Sequence, residues 1–176
     1  MSKEVKEATK ELHDAVEATA FAKRMFAGKL TVQDFINYLH AQSAIFTALE
    51  VSKGVPYEGL RRMQKLREHL DSISDAGITI DKIPLTAQRY AMWINQAESE
   101  SERNAHIYLN YMALMFGGSM MSKMFPGNGA LYKFENKGQC IQSIRDLDID
   151  TDTVAEGFRW QIELMYELEA MSDFKG

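Results

Sequence analysis

A histidine at position 13 stands in the segment Lys6-Glu7-Ala8-Thr9-Lys10-Glu11-Leu12-His13-Asp14-Ala15-Val16-Glu17. Val5, Ala8, Leu12 and Val16 recur at steps of three and four, the pattern of a helix with one buried stripe. Residues three or four apart share a helix face, so Thr9, His13 and Glu17 line up beside the stripe, with Lys6 nearly one turn further back. Neutral imidazole is a ligand for iron, zinc or copper, and a hydrogen bond on its other nitrogen decides which nitrogen is free. Glu17 is spaced to supply that bond, directly or through water. The plain alternative is a surface helix whose lone histidine edges its apolar stripe.

A second feature bears on that choice. Gly117-Gly118 interrupts the long apolar, methionine-rich run from Ala105 to Met121, which reads as a buried helix. Each glycine costs roughly 1 kcal/mol against alanine inside a helix. Two together mark a bend or a place where something approaches the bare backbone closely. A flat ligand against that backbone is one reading; a tight helix crossing or a helix end is the other.

These residues need elements to position them. The chain has 176 residues, the size of one domain spanning 1–176, and at 45% hydrophobic it can bury a core. There are only three prolines, and no strand-like alternation persists. A first helix is predicted from about Ser2 to about Ala20, with a continuation open. Thr31-Val32-Gln33-Asp34 has capping-box spacing and starts a second helix bearing Phe35, Tyr38, Leu39, Gln42, Phe46 and Leu49, ended by Gly54-Val55-Pro56. A third carries Leu60, Met63, Leu66 or Arg67, Leu70 and Ile73, followed by an extended connector at Ile78-Thr79-Ile80. Pro84 suits the first turn of a fourth. Glu98-Ser99-Glu100-Ser101-Glu102 is a polar link or the start of a fifth, which includes the glycine pair and stops near Pro126. Residues 130 to 150 carry no clear pattern. Thr151-Asp152-Thr153 offers caps for a last helix with Phe158, Ile162, Met165 and Leu168. The expected fold class is a compact all-α single domain.

Composition excludes several classes. The net charge of −5 argues against nucleic acid as the main partner. No apolar run is long and charge-free enough to span a bilayer, no secretory signal precedes the first helix, and no membrane tail follows Lys175-Gly176. The single cysteine, Cys140, forms no internal disulfide and fits a reducing cytosol, so a cytoplasmic location is expected.

With those residues in hand, the chain resembles the heme oxygenase family. Lys6-Glu7-Ala8-Thr9-Lys10-Glu11-Leu12-His13, followed by Glu17 and Phe21, looks like the family's first helix, whose histidine is the proximal iron ligand. Ala105-His106-x-Tyr108 followed by Gly117-Gly118 looks like the distal helix that lies over the heme. Ala48-Leu49-Glu50, Arg145, and Phe158 with Gln161 and Met165 add weaker matches. The likeness spans nearly the whole chain and implies the heme oxygenase-like helical bundle. It implies His13 as axial ligand, Glu17 as its neighbour, Thr9 and Lys6 toward the heme or its propionates, Tyr108 and Arg145 at the heme edge and propionates, Gly117 and Gly118 where dioxygen binds, and Phe158 and Met165 as pocket wall. The implied reaction opens heme to biliverdin, carbon monoxide and ferrous iron, using dioxygen and electrons. Heme is then both substrate and cofactor, ferredoxin or another reductase the electron donor, and a bilin-processing enzyme a downstream partner. An apolar slot with cations at one edge suits such a plate with two carboxylates.

The chain departs from the family at one place that matters. Relatives carry Asp or His three residues before the glycine pair; here stands Leu114. Ser119 follows the pair where Gln or Arg is common, and Asn110 stands where some relatives have Arg. Asn110 and Ser119 are the candidates to hold distal water instead, with Asn110, Gly117 and Gly118 as the catalytic set. The departure raises a second reading, a heme carrier or sensor without efficient turnover. A third, a di-iron oxidase, has only Glu17, Glu50, His40 and His106 to draw on. Lys3, Lys6, Lys10, Arg61, Arg62, Lys65 and Arg67 are candidates for a basic face toward an acidic electron donor, or for an ordinary solvated surface.

Overall fold

The structure, a computed structural model, describes residues 2–51, 54–75, 77–118, 120 and 122–174. Its helices are α1 (Ser2–Ala8), α2 (Lys10–Glu17), α3 (Ala20–Phe26), α4 (Val32–Val51), α5 (Met63–Asp71), α6 (Leu85–Asn95), α7 (Glu100–Ala113), α8 (Lys137–Arg145) and α9 (Thr151–Met171), and no strand occurs among the described residues. No helix of the described residues is long and apolar enough to cross a membrane. Ser119 and Lys175-Gly176 lie outside the described residues.

The predicted first helix is three pieces, and threonines make both breaks. Thr9 leaves the helical region at φ −112°, ψ 9°, while its hydroxyl donates to the Val5 carbonyl at 2.7 Å. Thr9 N–H still bonds Val5 O and His13 N–H bonds Thr9 O, each at 3.0 Å, so helical bonding runs through this break. Thr19 is extended, donates to Val16 O at 2.7 Å and caps α3 by accepting from Ala22 N–H. Short hydroxylated side chains compete in this way with the helix ladder and favour caps.

Other starts follow from free N–H groups finding oxygens. The Thr31–Asp34 box forms in both directions at 3.0 Å, with Asp performing the usual Glu role. Glu50 of α4 accepts from Arg62 N–H and Met63 N–H, at 2.7 and 3.2 Å, and thereby sets where α5 begins. This removes Leu60 to a separate 3-10 turn, Glu58–Leu60, and leaves Ile73 past the helix end. Glu167 of α9 likewise takes Leu85 N–H and Thr86 N–H, placing Pro84 at the cap of α6. Ser99 caps α7, which settles the acidic run as a helix start at Glu100. The last helix is capped by Asp150, not by the threonines or Asp152.

The core is one apolar cluster that draws on every helix from α3 to α9 and on Val5 of α1. α9 packs against α2, α3, α6 and α7, and α4 packs along α6. Tyr90, Trp93 and Trp160 stack between α6 and α9, with His106 of α7 edge-on to Trp93 at 4.7 Å. A Cβ on Gly157 would overlap the Leu109 side chain, so α9 and α7 approach closely there. Arg24 ties the two ends of the chain: it reaches Asp34 at 2.7 Å and Glu169 at 2.9 Å, and its guanidinium lies 4.3 Å from the Phe174 ring centre.

Candidate functional site

α2 presents His13 on the outside of the bundle, its side chain 54% exposed, while the Leu12–Val16 stripe faces inward. Glu17 Oε1 lies 3.2 Å from His13 Nε2, the i to i+4 contact the spacing predicts, and Asp14 Oδ1 lies 3.6 Å from Nδ1. Two carboxylates therefore flank the ring, one per nitrogen. Phe158 of α9 meets the imidazole edge-on at 5.8 Å and is itself buried, as is Met165 two turns further along α9. His13, Glu17 and Phe158 are thus brought together.

The predicted distal helix, α7, does not run straight through the glycine pair. It ends at Ala113 and widens into a π-turn, Leu114–Gly118, so the predicted single fifth helix is corrected at this point. Such turns release i to i−4 bonds and re-aim the backbone. A Cβ on Gly118 would overlap the ring of Tyr132, with Tyr132 Cγ at 3.2 Å. The glycine therefore answers to a neighbouring aromatic ring, a cause the sequence reading missed. Phe116 in the turn is 53% exposed and Met120 beyond it 82%, an apolar lip turned to solvent. Lys6 of α1 stands 5.9 Å from the Phe116 ring centre, which joins the first helix to this lip.

The other candidates separate into two groups. Tyr108 is buried on α7, and burial raises its phenol pKa. Arg145 is exposed at the last turn of α8 and has no ion-pair partner among the described residues. Thr9 is buried with its hydroxyl turned onto Val5 O, so it offers no free donor to a ligand. Asn110 is buried, and its amide N–H groups reach Tyr90 OH at 3.1 Å and His106 O at 2.9 Å. With both donors engaged, only Oδ1 remains to hold a water, and only as an acceptor. Leu114 is 5% exposed and belongs to the apolar core.

The di-iron reading fails on geometry. No group of three His, Cys, Asp or Glu converges among the described residues. Glu50 caps α5 and accepts from Tyr111 OH at 2.8 Å, His40 Nδ1 bonds Ile36 O at 2.9 Å, and His106 packs against Trp93. The basic face is corrected too. Arg62 is 3% exposed, donates to the carbonyls of Gly59, Leu131 and Lys133 and stacks on Phe134, and burial lowers its pKa. Lys10, Arg61 and Lys65 pair with Asp14, Glu58 and Glu68. Two cavities, of about 620 and 540 Å³, lie along α4 on either side of the 77–83 segment; neither is lined by His13 or the π-turn.

The heme oxygenase family model matches residues 1–162. The chain belongs to the heme oxygenase family. Family membership makes heme the substrate and its opening to biliverdin the reaction; the carrier or sensor reading is not favoured. Among solved structures, heme oxygenase-1 of the cyanobacterium Synechocystis in complex with heme superposes at TM-score 0.79 and 21% identity, over 96% of this chain and 91% of that one. Heme oxygenase-2 of the same organism, with heme and NO, gives 0.79 at 20% identity over 96% and 85%. The heme oxygenase of Leptospira interrogans gives 0.72 at 19% over 94% and 95%. At these identities the likeness carries the fold, the all-α heme oxygenase bundle. No curated protein sequence matches the chain.

Proposed function

We propose that residues 1–176 form one heme oxygenase domain that takes heme between α2 and the π-turn, with His13 as the axial ligand. The observation that carries this is the half-exposed His13 imidazole, flanked by Glu17 and Asp14 and met edge-on by buried Phe158. Heme fits these residues: a nitrogen base on one side, bare backbone on the other, and the cations Lys6 and Arg145 for its carboxylates. When bound, heme supplies the iron that binds dioxygen and the ring carbon that is oxidised.

The chain's part is to bind, orient and deliver protons. A carboxylate on one imidazole nitrogen fixes the tautomer and makes the other a better donor to metal. Engaging iron through Nε2 requires Glu17 to give up the contact it now makes, so ring rotation or a shift of Glu17 accompanies binding. Arg145 offers a two-pronged guanidinium to one propionate, and Lys6 a point charge to the other. Tyr108 borders the heme edge, and Phe158 and Met165 exclude water from the proximal side. On the distal side, Leu114 supplies no proton. A water donating one hydrogen to Asn110 Oδ1 would keep its second to deliver as a proton on the distal side. The donor is a reduced ferredoxin or a flavoprotein reductase, the setting is cytoplasmic, the iron is released, and a bilin-processing enzyme takes the product.

The test is hemin titration followed by aerobic reaction with ferredoxin and catalase. A histidine-ligated spectrum, lost in His13→Ala, and biliverdin as product are expected. A His13→Ala protein with unchanged iron spectrum and unchanged turnover refutes the ligand assignment. Ring opening that needs free peroxide, and so stops with catalase, refutes the enzyme mechanism.

A further inference from the structure

The segment after the π-turn is held from behind by α5. His69, wholly buried, uses both ring nitrogens: Nε2 lies 3.0 Å from Pro126 O and Nδ1 accepts from Leu131 N–H at 3.3 Å. A carbonyl can only accept and an amide can only donate, so the neutral tautomer with its proton on Nε2 satisfies both. Ser72 adds a third tie, accepting from Asn128 N–H at 2.9 Å. Gly127, at φ +90°, lies so close to His69 and Ser72 that a side chain there has no room. Gly129, at φ +72°, then turns the chain into the 3-10 turn Ala130–Tyr132. Phe125 stacks on Phe35 of α4 at 4.6 Å and lies 5.7 Å from the Tyr132 ring. The whole 125–132 segment is thereby fixed to α4 and α5, and its last ring rests on Gly118.

We propose that Tyr132 is a positioning residue that sets where the π-turn stands over the substrate, and that His69 is the clamp that holds Tyr132 in place. This rests on the reading that heme lies beneath the turn. A side chain at Gly118 meets Tyr132 before anything else described, so the turn and the ring must part. The alternative is that Gly118 is glycine because of the substrate alone.

A double-mutant cycle separates these. Amide hydrogen exchange of residues 114–118 is measured in the heme-free protein, and the C–O stretch of the ferrous heme with carbon monoxide in the loaded one. Gly118→Ala is expected to speed exchange at least tenfold and to shift the stretch. Tyr132→Ala speeds exchange and shifts the stretch, though less than Gly118→Ala does, Tyr132→Phe leaves both near wild type, and Gly118→Ala with Tyr132→Ala brings the stretch closer to wild type than Gly118→Ala alone because the ring no longer opposes the methyl. His69→Leu loosens 125–132 and 114–118 together, whereas His69→Gln, which keeps a donor and an acceptor, loosens them less. A stretch in the double variant that is no closer to wild type than in Gly118→Ala, or unaltered exchange in both Tyr132→Ala and His69→Leu, overturns the proposal. A protein that binds no heme refutes the functional reading instead, and the exchange arm still decides the packing claim.

Discussion

Acidification should destabilise this fold through His106, by an amount the structure sets. The ring is 2% exposed, its Nδ1 finds no hydrogen-bond partner among the described residues, and burial pushes its pKa down from 6.5 to about 4. In the unfolded chain the same ring titrates near its ordinary value. Between these two values the unfolded state binds more protons, so stability rises with pH. The contribution of neutral His106 is fully present above about pH 6.5 and is lost as pH falls toward 4. One pKa unit corresponds to about 1.4 kcal/mol, so a drop from pH 7.5 to 4.5 costs roughly 2 to 3 kcal/mol through this residue. His106→Phe keeps a ring against Trp93 and Tyr90 and cannot titrate. Urea unfolding of both proteins across this range is the assay. His69, whose pKa burial also lowers, titrates in both, so it cancels in the difference. The variant should lose less stability on acidification by that 2 to 3 kcal/mol. Parallel pH curves for the two proteins would refute the reasoning, because they would mean His106 titrates alike folded and unfolded.

Three further outcomes follow from buried contacts. Arg24→Met leaves Asp34, 1% exposed, without its cation and should cost about 3 to 5 kcal/mol by urea unfolding. Glu50→Ala removes the acceptor of Arg62 N–H, Met63 N–H and Tyr111 OH together; a loss of about 2 to 4 kcal/mol is expected, with hydrogen exchange fastest in the first turn of α5. Leu114→Asp puts a carboxyl at a 5% exposed core position, so the heme-free protein should lose about 2 to 3 kcal/mol at pH 7 and recover part of it on acidification as the group protonates. Biliverdin formation by that variant is expected not to exceed the wild-type rate, because the proposed proton route through water on Asn110 Oδ1 does not use position 114.

Much of the fold and site was legible because periodicity and capping are local. The Leu12–Val16 step, the Thr31–Asp34 box and the His13–Glu17 pair each depend on residues within about one turn of one another, whereas Ala8, read into the stripe, is exposed and Thr9, read beside His13, is buried where the helix breaks. A 3.6-residue period converts such spacing directly into shared faces. The His13–Glu17 contact at 3.2 Å is the product of that rule. What tertiary structure alone decided depends on partners far apart in the chain. Glu50 moves the start of α5 from the residue the apolar pattern suggests, and Glu167 does the same for α6 from 81 residues away. Arg62 reads as a surface cation until Leu131 and Lys133 offer it carbonyls. Asn110 reads as a free amide until Tyr90 takes one of its hydrogens. Gly118 shows the limit most sharply. Its spacing announces that backbone is needed bare, but that a side chain there would meet the ring of Tyr132 emerges only when the 125–132 segment folds back across His69. A glycine records that space is occupied; only the packed chain says by what.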